Sequence, residues 1–381
     1  MNPKKIFELR DRILDGGPAA THDEANELIF TADDDLMDLI AAASRIRTTF
    51  CKQRVELCSI VNAKSNACSE NCNFCAQSAH YPTATQTYPL MEPQQIVEKG
   101  REARETMQAS HFSIVTAWRG PRPGKDFEKV KETIREMSAQ VDVGKCTSLG
   151  ILPNDQMAHE LRDAGLNYYH HNLETAESYF DKVCTSHTFQ DRVKTIKHAR
   201  AAGLTVCSGG LFGLGESPEQ RVELAMTLQE LDVTSVPINI LHPIEGTPQH
   251  QHHEPLRPMD ILKIIATYRF ALPRADIGVF GGREMNLRDL QSWVFPAGAN
   301  MILIGNYLTT KGRKAEDDLQ MLDDLGLWIN HEGHHGSHAA ALGEIRQKMN
   351  GGPSARSNGH ANSSQPAAPS ESSFRPLTVL G

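Results

Sequence analysis

Long apolar segments, a net positive charge and a disulfide framework are all missing from this 381-residue chain. No apolar run approaches the roughly 20 residues of a membrane-spanning helix, and residues 1–11 lack the apolar core of a secretory signal peptide. A net charge of −8 argues against nucleic acid or an anionic membrane as the main partner. Eight cysteines in a long acidic chain fit a reducing cytoplasm better than a disulfide scaffold. We therefore expect a cytoplasmic protein that binds neither nucleic acid nor membranes.

What the sequence does contain is a regular alternation of short apolar runs and charged stretches of helical period. The runs predict eight strands, at 55–61, 111–117, 141–146, 167–173, 204–212, 235–241, 276–280 and 301–305. The stretches predict helices between most of them, as at 93–107, 126–140, 155–164, 190–202 and 218–231. Strands that alternate with helices form parallel βαβ units. Eight such units predict an α/β protein with a (β/α)8 TIM-type barrel.

Composition divides the chain into four segments. Residues 1–48 predict an N-terminal helical arm that packs on the barrel, and residues 49–330 form the barrel itself. Residues 331–350 predict a short helical extension. Residues 351–381 are rich in Ser, Pro, Ala and Asn, with almost no apolar side chains, and therefore predict a disordered tail.

Three cysteines lie close together in the long segment between the first two predicted strands. Cys68, Cys72 and Cys75 have the spacing C-x3-C-x2-C on a polar, Asn-rich loop. Clustered soft thiolates suit an iron–sulfur cluster or zinc. Three thiolates on a four-iron cluster would leave one iron free for a substrate or cofactor. A zinc site with His80 as the fourth ligand is the main alternative, and cysteines that bind no metal are a further one.

Three unusual residues lie near the carboxyl ends of distant predicted strands. Cys146 ends one such strand, Cys207 lies in the segment 205–210 and Arg283 follows a further strand. Taken singly, each cysteine reads as a small buried apolar residue and the arginine as an ion-pairing residue. Side chains at the C-terminal ends of barrel strands converge, however, so these three could form a second metal site.

Several further segments share both their residues and their order with one known family. They are 62–64, 75–79, 168–175, 206–210, 236–239, 246–248, 282–286, 297–300, 317–320 and 325–327. Together with the C-x3-C-x2-C loop, they resemble the biotin synthase family of radical S-adenosylmethionine (SAM) enzymes. The resemblance covers residues 45–328, and the N-terminal arm and the tail contribute little to it.

The resemblance implies a specific chemistry. Cys68, Cys72 and Cys75 would hold a [4Fe–4S] cluster whose free iron binds SAM. Reduction by an external electron donor would cleave SAM to a carbon radical that removes hydrogen from dethiobiotin. A [2Fe–2S] cluster would then supply the sulfur that closes the ring of biotin. Members of this family pair as homodimers, so a homodimer is expected here.

The resemblance also implies roles for five residues that bind the organic molecules. Phe74 would flank the adenine of SAM, Glu174 would bind its ribose hydroxyls and Arg192 would pair with its carboxylate. Asn172 and Asn239 would hold the ureido ring of dethiobiotin through complementary amide hydrogen bonds.

The second cluster is where this sequence departs from the family. Cys146, Cys207 and Arg283 match three of its ligands, but Ser113 stands where the family has a further cysteine. A serine hydroxyl is harder and much less acidic than a thiol, so it should bind iron more weakly. His111 lies two residues away on the same face of a strand and could offer a substitute nitrogen.

Two other functions are compatible with parts of this pattern. A related radical SAM barrel that does not insert sulfur is favoured by Ser113 alone. A zinc-binding interaction protein without enzymatic activity would use its histidine-rich loops and its tail as contact surfaces.

Overall fold

The computed structural model of this protein describes residues 1–252 and 254–329. The extension and the tail predicted at 331–350 and 351–381 lie outside the described residues. Within the described ranges, none of the helices combines the length and the apolar character needed to cross a bilayer.

Parallel strands form a closed barrel. They are β1 (Arg54–Lys64), β2 (His111–Thr116), β3 (Gly144–Ser148), β4 (Tyr168–His170), β5 (Thr205–Cys207), β6 (Gly210–Phe212), β7 (Ser235–Ile240), β8 (Asp276–Val279), β9 (Met301–Leu303) and β10 (Trp328–Ile329). Each barrel strand pairs with the next, and β9 closes the ring on β1. Both β5 and β6 pair with β7, so they are two halves of one barrel strand. The ring therefore has eight strands, which confirms the predicted (β/α)8 barrel, and β10 pairs outside it with the start of β1.

The fifth barrel strand is broken, although the sequence predicts one continuous strand over 204–212. Gly209 lies at the break, and a Cβ there would come within 1.9 Å of the Pro237 carbonyl oxygen. The Gly209 carbonyl instead accepts hydrogen bonds from the backbone N–H groups of Leu173 and Glu174. The break thus brings the chain after β4 against β5 with its backbone polar groups satisfied.

Helices surround this barrel. They are α1 (Pro3–Leu14), α2 (His22–Ile29), α3 (Leu36–Cys51), α4 (Pro93–Thr106), α5 (Lys125–Gln140), α6 (Asp155–Asp163), α7 (Glu177–Phe180), α8 (Phe189–Ala201), α9 (Pro218–Glu230), α10 (Pro248–His252), α11 (Pro258–Ala271), α12 (Arg283–Leu287) and α13 (Ala315–Asp324). Their starts carry recognisable signals: Thr21, Thr188 and Ser217 each form a capping box with the third helical residue. Local sequence therefore sets where these helices begin.

The N-terminal helices pack on the outside of the barrel. Helix α3 contacts α1 and α11, and α2 contacts α9 and α11. Every residue of α11 from Ile261 to Ala271 is buried, because the barrel covers one side of this helix and the N-terminal helices cover the other. The first three helices thus extend the apolar core and take no part in lining the barrel interior.

Candidate active site

A cavity of about 1060 Å³ occupies the interior of the barrel. It extends from Glu56 and Asp276, near the amino ends of their strands, to Phe74 and Leu308 at the opposite mouth. Nine of the residues that the sequence singles out line it: Phe74, Cys75, His111, Ser113, Cys146, Asn172, Glu174, Cys207 and Asn239. Residues from six separate segments of the chain thus share one cavity, as expected at the carboxyl ends of barrel strands.

The three-cysteine loop follows β1 and is folded back on itself. Asn66 and Ala67 have φ values of 65° and 57°, so the chain turns sharply just before the first cysteine. The Cys68 N–H donates to the Gln77 carbonyl oxygen (3.0 Å), and the Ala79 N–H donates to the Cys68 carbonyl oxygen (2.8 Å). Backbone hydrogen bonds therefore fix the shape of the loop.

Cys72, the middle cysteine of the loop, is in contact with a second buried thiol and with one cationic side chain. The Sγ atoms of Cys72 and Cys184 are 3.7 Å apart, and Arg192 Nη2 lies 3.8 Å from the Cys72 Sγ. Because Cys72 donates to Cys184, the pKa of Cys72 is raised and that of Cys184 is lowered. Burial raises the pKa of Cys75 to about 11. Burial thus disfavours the charged form of Cys75, and a bound metal cluster would stabilise its thiolate.

The predicted zinc alternative with His80 is not assembled. The His80 Nε2–H donates to the Ser69 carbonyl oxygen (3.0 Å). Among residues 1–252 and 254–329, the metal-ligand atoms of one group of three lie within 4.8 Å of one another, and this group contains Cys72, Cys184 and His187. Cys184 and His187 were not predicted as ligands, although their C-x2-H spacing was a readable signal.

His187 connects an acid to Arg192. Its Nδ1–H donates to Glu70 Oε2 (2.5 Å), and its Nε2 accepts from Arg192 Nε (3.0 Å), so both ring nitrogens are hydrogen-bonded. Although burial raises the pKa of Glu70, hydrogen bonds from Ser186 and His187 bring it below the ordinary value. The network fixes Arg192, whose Nη1 donates to the Asn172 carbonyl oxygen (2.8 Å).

Glu174 is held in a strained position between Arg192 and the cavity. Its φ of 72° is rare for a residue with a side chain, and such strain is concentrated at functional sites. Burial raises the pKa of Glu174, and the nearby Arg192 at 3.4 Å opposes that rise. Glu174 thus combines a buried carboxylate with one cationic partner, a pairing suited to binding hydroxyl groups.

Two of the asparagines that line the cavity, Asn172 and Asn239, are anchored to the backbone. Asn172 Oδ1 accepts from the Gly209 N–H (3.2 Å), and Asn239 Oδ1 accepts from the Gly281 N–H (3.0 Å). Asn239 Nδ2 donates to the Gly210 carbonyl oxygen (3.2 Å). Each amide has a second lone pair or N–H for a ligand, so these side chains are pre-oriented hydrogen-bonding groups.

The second set of candidate ligands is only partly brought together. Cys146 and Cys207 both line the cavity, as does Ser113. Burial raises the pKa of Cys146 to about 11, and the Ser113 side chain opposes that rise. His170 Nδ1 lies 3.3 Å from the Cys207 Sγ, and burial lowers the pKa of His170 to about 4, so its ring is neutral.

Arg283 does not line this cavity. Its guanidinium forms a two-point ion pair with the Asp318 carboxylate, at 3.0 and 2.7 Å. Both side chains are 1% exposed. The assignment of Arg283 as a cluster ligand stays a prediction, and its guanidinium would have to be shared between Asp318 and a metal.

The glycine-rich turn after β6 carries no phosphate site. The Gly213 and Leu214 N–H groups, which could cradle a phosphate, donate instead to the buried Glu216 carboxylate. Glu216 is held in turn by Arg221 at 2.8 Å. This turn is therefore satisfied by the protein's own acid.

Comparisons with protein families match most of the barrel. The Radical SAM superfamily matches residues 63–228, and the Biotin and Thiamin Synthesis associated domain matches residues 237–328. The chain is 50% identical to a biotin synthase of Geobacter sulfurreducens (strain ATCC 51573 / DSM 12127 / PCA), over 84% of this chain and 96% of that protein. It is 48% identical to a biotin synthase of Pelobacter propionicus (strain DSM 2379 / NBRC 103807 / OttBd1), over 85% of this chain and 98% of that protein.

Solved structures share the fold at low sequence identity. Methylornithine synthase superposes with a TM-score of 0.73 at 18% identity, covering 88% of this chain and 99% of that chain. An FeFe-hydrogenase maturase from Carboxydothermus hydrogenoformans superposes with a TM-score of 0.70 at 17% identity, covering 86% and 79%. At these identities the structures support the fold alone.

Proposed function

This chain belongs to the biotin synthase family of radical SAM enzymes, and we propose that the cavity inside its barrel is where sulfur is inserted into dethiobiotin. Family membership gives the activity, which is SAM-dependent formation of biotin. A radical SAM barrel without sulfur insertion is the weaker alternative, because the identity to biotin synthases covers both matched domains. The same sequence identity argues against the alternative of a zinc-binding interaction protein without enzymatic activity.

Cys68, Cys72 and Cys75 would hold the [4Fe–4S] cluster. They fit this group because three soft thiols lie on one loop that backbone hydrogen bonds already shape. When bound with SAM, the cluster supplies one-electron cleavage of a C–S bond and so a carbon radical. Cys184, beside Cys72, would then be a neighbour of the cluster and not one of its ligands.

Arg192, Glu174 and Phe74 would bind SAM. Arg192 is oriented through His187 and Glu70, so its position is set before any ligand arrives. It would pair with the SAM carboxylate, since a guanidinium offers two parallel donors to such a group. Glu174 would accept from the ribose hydroxyls, and Phe74 at the cavity mouth would flank the adenine.

Asn172 and Asn239 would hold dethiobiotin by its ureido ring. Both side chains line the cavity and both are fixed by backbone hydrogen bonds. Each amide can offer one donor and one acceptor, which is the pattern that a cyclic urea presents in reverse. The apolar part of the cavity near Phe280 and Leu303 would accommodate the aliphatic chain.

Cys146 and Cys207 would hold the second cluster, which we propose as the sulfur source and as [2Fe–2S]. Both thiols are buried and face the same space as the asparagines. This placement would bring the sulfur donor to the substrate within one water-poor enclosure. Arg283 is a further candidate ligand, and Ser113 is the weak member of the set.

We further propose a cytoplasmic homodimer that depends on an external one-electron donor. The eight cysteines are all free thiols, which favours a reducing compartment. The homodimer and the donor come from the family resemblance, and sedimentation of the purified protein tests the first of them.

One observation carries the proposal: candidate groups for SAM, for dethiobiotin and for a second cluster line a single cavity. The test is anaerobic incubation of reconstituted protein with SAM, a strong reductant and dethiobiotin. Mass analysis should find a product that carries one added sulfur. Absence of that product, in protein that still cleaves SAM, would contradict sulfur insertion.

Two variants separate the two clusters. Cys72→Ala should abolish SAM cleavage and biotin formation together, because it removes a ligand of the first cluster. Cys207→Ala should spare SAM cleavage and stop biotin formation. Full cleavage in Cys72→Ala, or continued biotin formation in Cys207→Ala, would refute the corresponding assignment.

A further inference from the structure

A third cysteine inside the barrel, Cys58, shares the cavity with Cys146 and Cys207. It is the fifth residue of the eleven-residue strand β1. Its side chain packs beside Phe280 and Leu303 on the cavity wall. Neither the cysteine loop nor the strand-end pattern points to Cys58, so only the folded barrel associates it with the other two thiols.

Strand register shows that these three cysteines belong to one interior layer. In a (β/α)8 barrel, alternate strands contribute the side chains of a layer, and strand tilt advances the register by about two residues for every two strands. Cys58 pairs with His111, and His111 pairs with Gly144. Two residues beyond Gly144 is Cys146.

The same step repeats around the ring. Each step follows two register pairs and then advances by two residues along the strand that it reaches. From Cys146 the pairs lead through Tyr168 to Thr205, and two residues further is Cys207. In the same way, Cys207 leads through Ser235 and Asp276 to Gly278, and Gly278 leads through Met301 and Glu56 to Cys58. The path closes on its starting residue. The layer therefore consists of Cys58, Cys146, Cys207 and Gly278, three thiols and a position without a side chain.

Ser113 belongs to the neighbouring layer. It pairs directly with Ile60 on β1 and with Cys146 on β3. Advancing by two residues along β4 from Tyr168, the register partner of Cys146, gives His170 as the next member of the Ser113 layer. Ser113, where the family has a cysteine, is thus one layer away from Cys58. A small cluster bound between the two layers would be close to both positions.

Electrostatics agree with this placement. Burial raises the pKa of the Cys58 thiol well above its usual range, and the charges of Cys207 and Cys146 raise it further. Burial therefore keeps these thiols protonated, and binding of a metal cluster would be needed to stabilise all three as thiolates. Cysteine supplies only eight of 381 residues, so packing alone gives no reason for three in one four-residue layer.

We infer that Cys58 supplies a third thiolate to the second iron–sulfur cluster, in place of the cysteine that Ser113 replaces. The inference rests on the second cluster proposed above and names one of its ligands. It explains how the chain can have Ser113 where the family has a cysteine ligand. The cluster would still have three soft thiolates, one of them from Cys58 on β1 in place of a cysteine on β2.

Metal content and spectra of cysteine variants test this ligand. Wild-type protein, Cys58→Ala, Cys58→Ser and Cys146→Ala are reconstituted anaerobically, and iron, acid-labile sulfide and the Mössbauer spectrum are measured per chain. Cys58→Ala should lose the second-cluster signal as Cys146→Ala does and keep the four irons of the first cluster. Cys51→Ala, which removes a buried cysteine of α3 outside the cavity, should retain the wild-type iron content.

The outcomes separate this inference from the proposed second cluster. Wild-type iron and an unchanged spectrum in Cys58→Ala, beside a loss in Cys146→Ala, would overturn the Cys58 assignment alone. Wild-type spectra in both Cys146→Ala and Cys207→Ala would overturn the second cluster itself. Reductive SAM cleavage shows whether a variant has folded with its first cluster. If Cys58→Ala does not cleave SAM, the nearly isosteric Cys58→Ser is compared with the wild type instead. An altered second-cluster spectrum in Cys58→Ser supports Cys58 as a ligand, and an unaltered spectrum refutes it.

Discussion

The buried ion pair between Arg283 and Asp318 should dominate the stability of the carboxyl-terminal side of the barrel. The two carboxylate oxygens of Asp318 accept from the two terminal nitrogens of Arg283, and a further bond comes from Arg313 at 3.2 Å. Neither partner of the central pair is more than 1% exposed. Replacing Asp318 with Asn removes the charge with little change in volume and leaves Arg283 buried without its main counter-ion.

The expected cost follows from desolvation. Removing one partner of a buried pair costs about 3–5 kcal/mol, because the remaining charge is left uncompensated. Arg283 is also 3.7 Å from Glu284, which partly compensates the charge and places Asp318→Asn toward the lower end of that range. The double variant Arg283→Met/Asp318→Leu removes both charges and should recover most of the loss.

Urea denaturation under anaerobic conditions measures this cost. The midpoint should fall clearly for Asp318→Asn and return toward the wild-type value for the double variant. Asp232→Asn is the matched control, because the Asp232–Arg200 pair is solvent-exposed and should contribute little. An Asp318→Asn midpoint indistinguishable from that of the control would refute the argument that this pair is desolvated and structurally essential.

Three further predictions concern single side chains. Cys184→Ala should leave SAM cleavage near the wild-type rate, whereas loss of cleavage would make Cys184 a cluster ligand. Burial lowers the pKa of His111 to about 4 from its ordinary 6.5, so the unfolded state binds more protons and stability falls as the pH drops between these values. Between pH 7 and pH 5, His111→Gln should remove about 2 kcal/mol of that loss of stability, which urea unfolding curves at the two pH values would measure. Gly209→Ala should yield little soluble protein, because its Cβ would overlap the Pro237 carbonyl. Gly100→Ala in helix α4, whose Cβ would first meet the end of the flexible Met137 side chain at 3.2 Å, should express normally.

Local sequence was sufficient for the barrel and for the three-cysteine loop. Alternating apolar runs and capped helices are short-range patterns, so all eight barrel strands were predictable. The boundaries were less so: the third strand begins at Gly144, although apolar residues start at Val141. The break at Gly209 was also missed, because it depends on the close approach of Pro237 from another strand.

The candidate site divides in the same way. Cysteine spacing identified Cys68, Cys72 and Cys75, because ligands on one loop are close in sequence as well as in space. The Glu70–His187–Arg192 network was not predictable, since its members meet only when the loop after β1 packs against the segment before α8.

The sequence alone predicted the fold class, the family and a three-cysteine loop that would hold the first cluster, since each prediction depends on local patterns read in order along the chain. Only the tertiary structure decided that Arg283 pairs with Asp318 and that Cys58 shares a layer with Cys146 and Cys207. The reason is geometric. Strand tilt and register place residues from separate strands at one height in the barrel, and neither can be read from spacing along the chain.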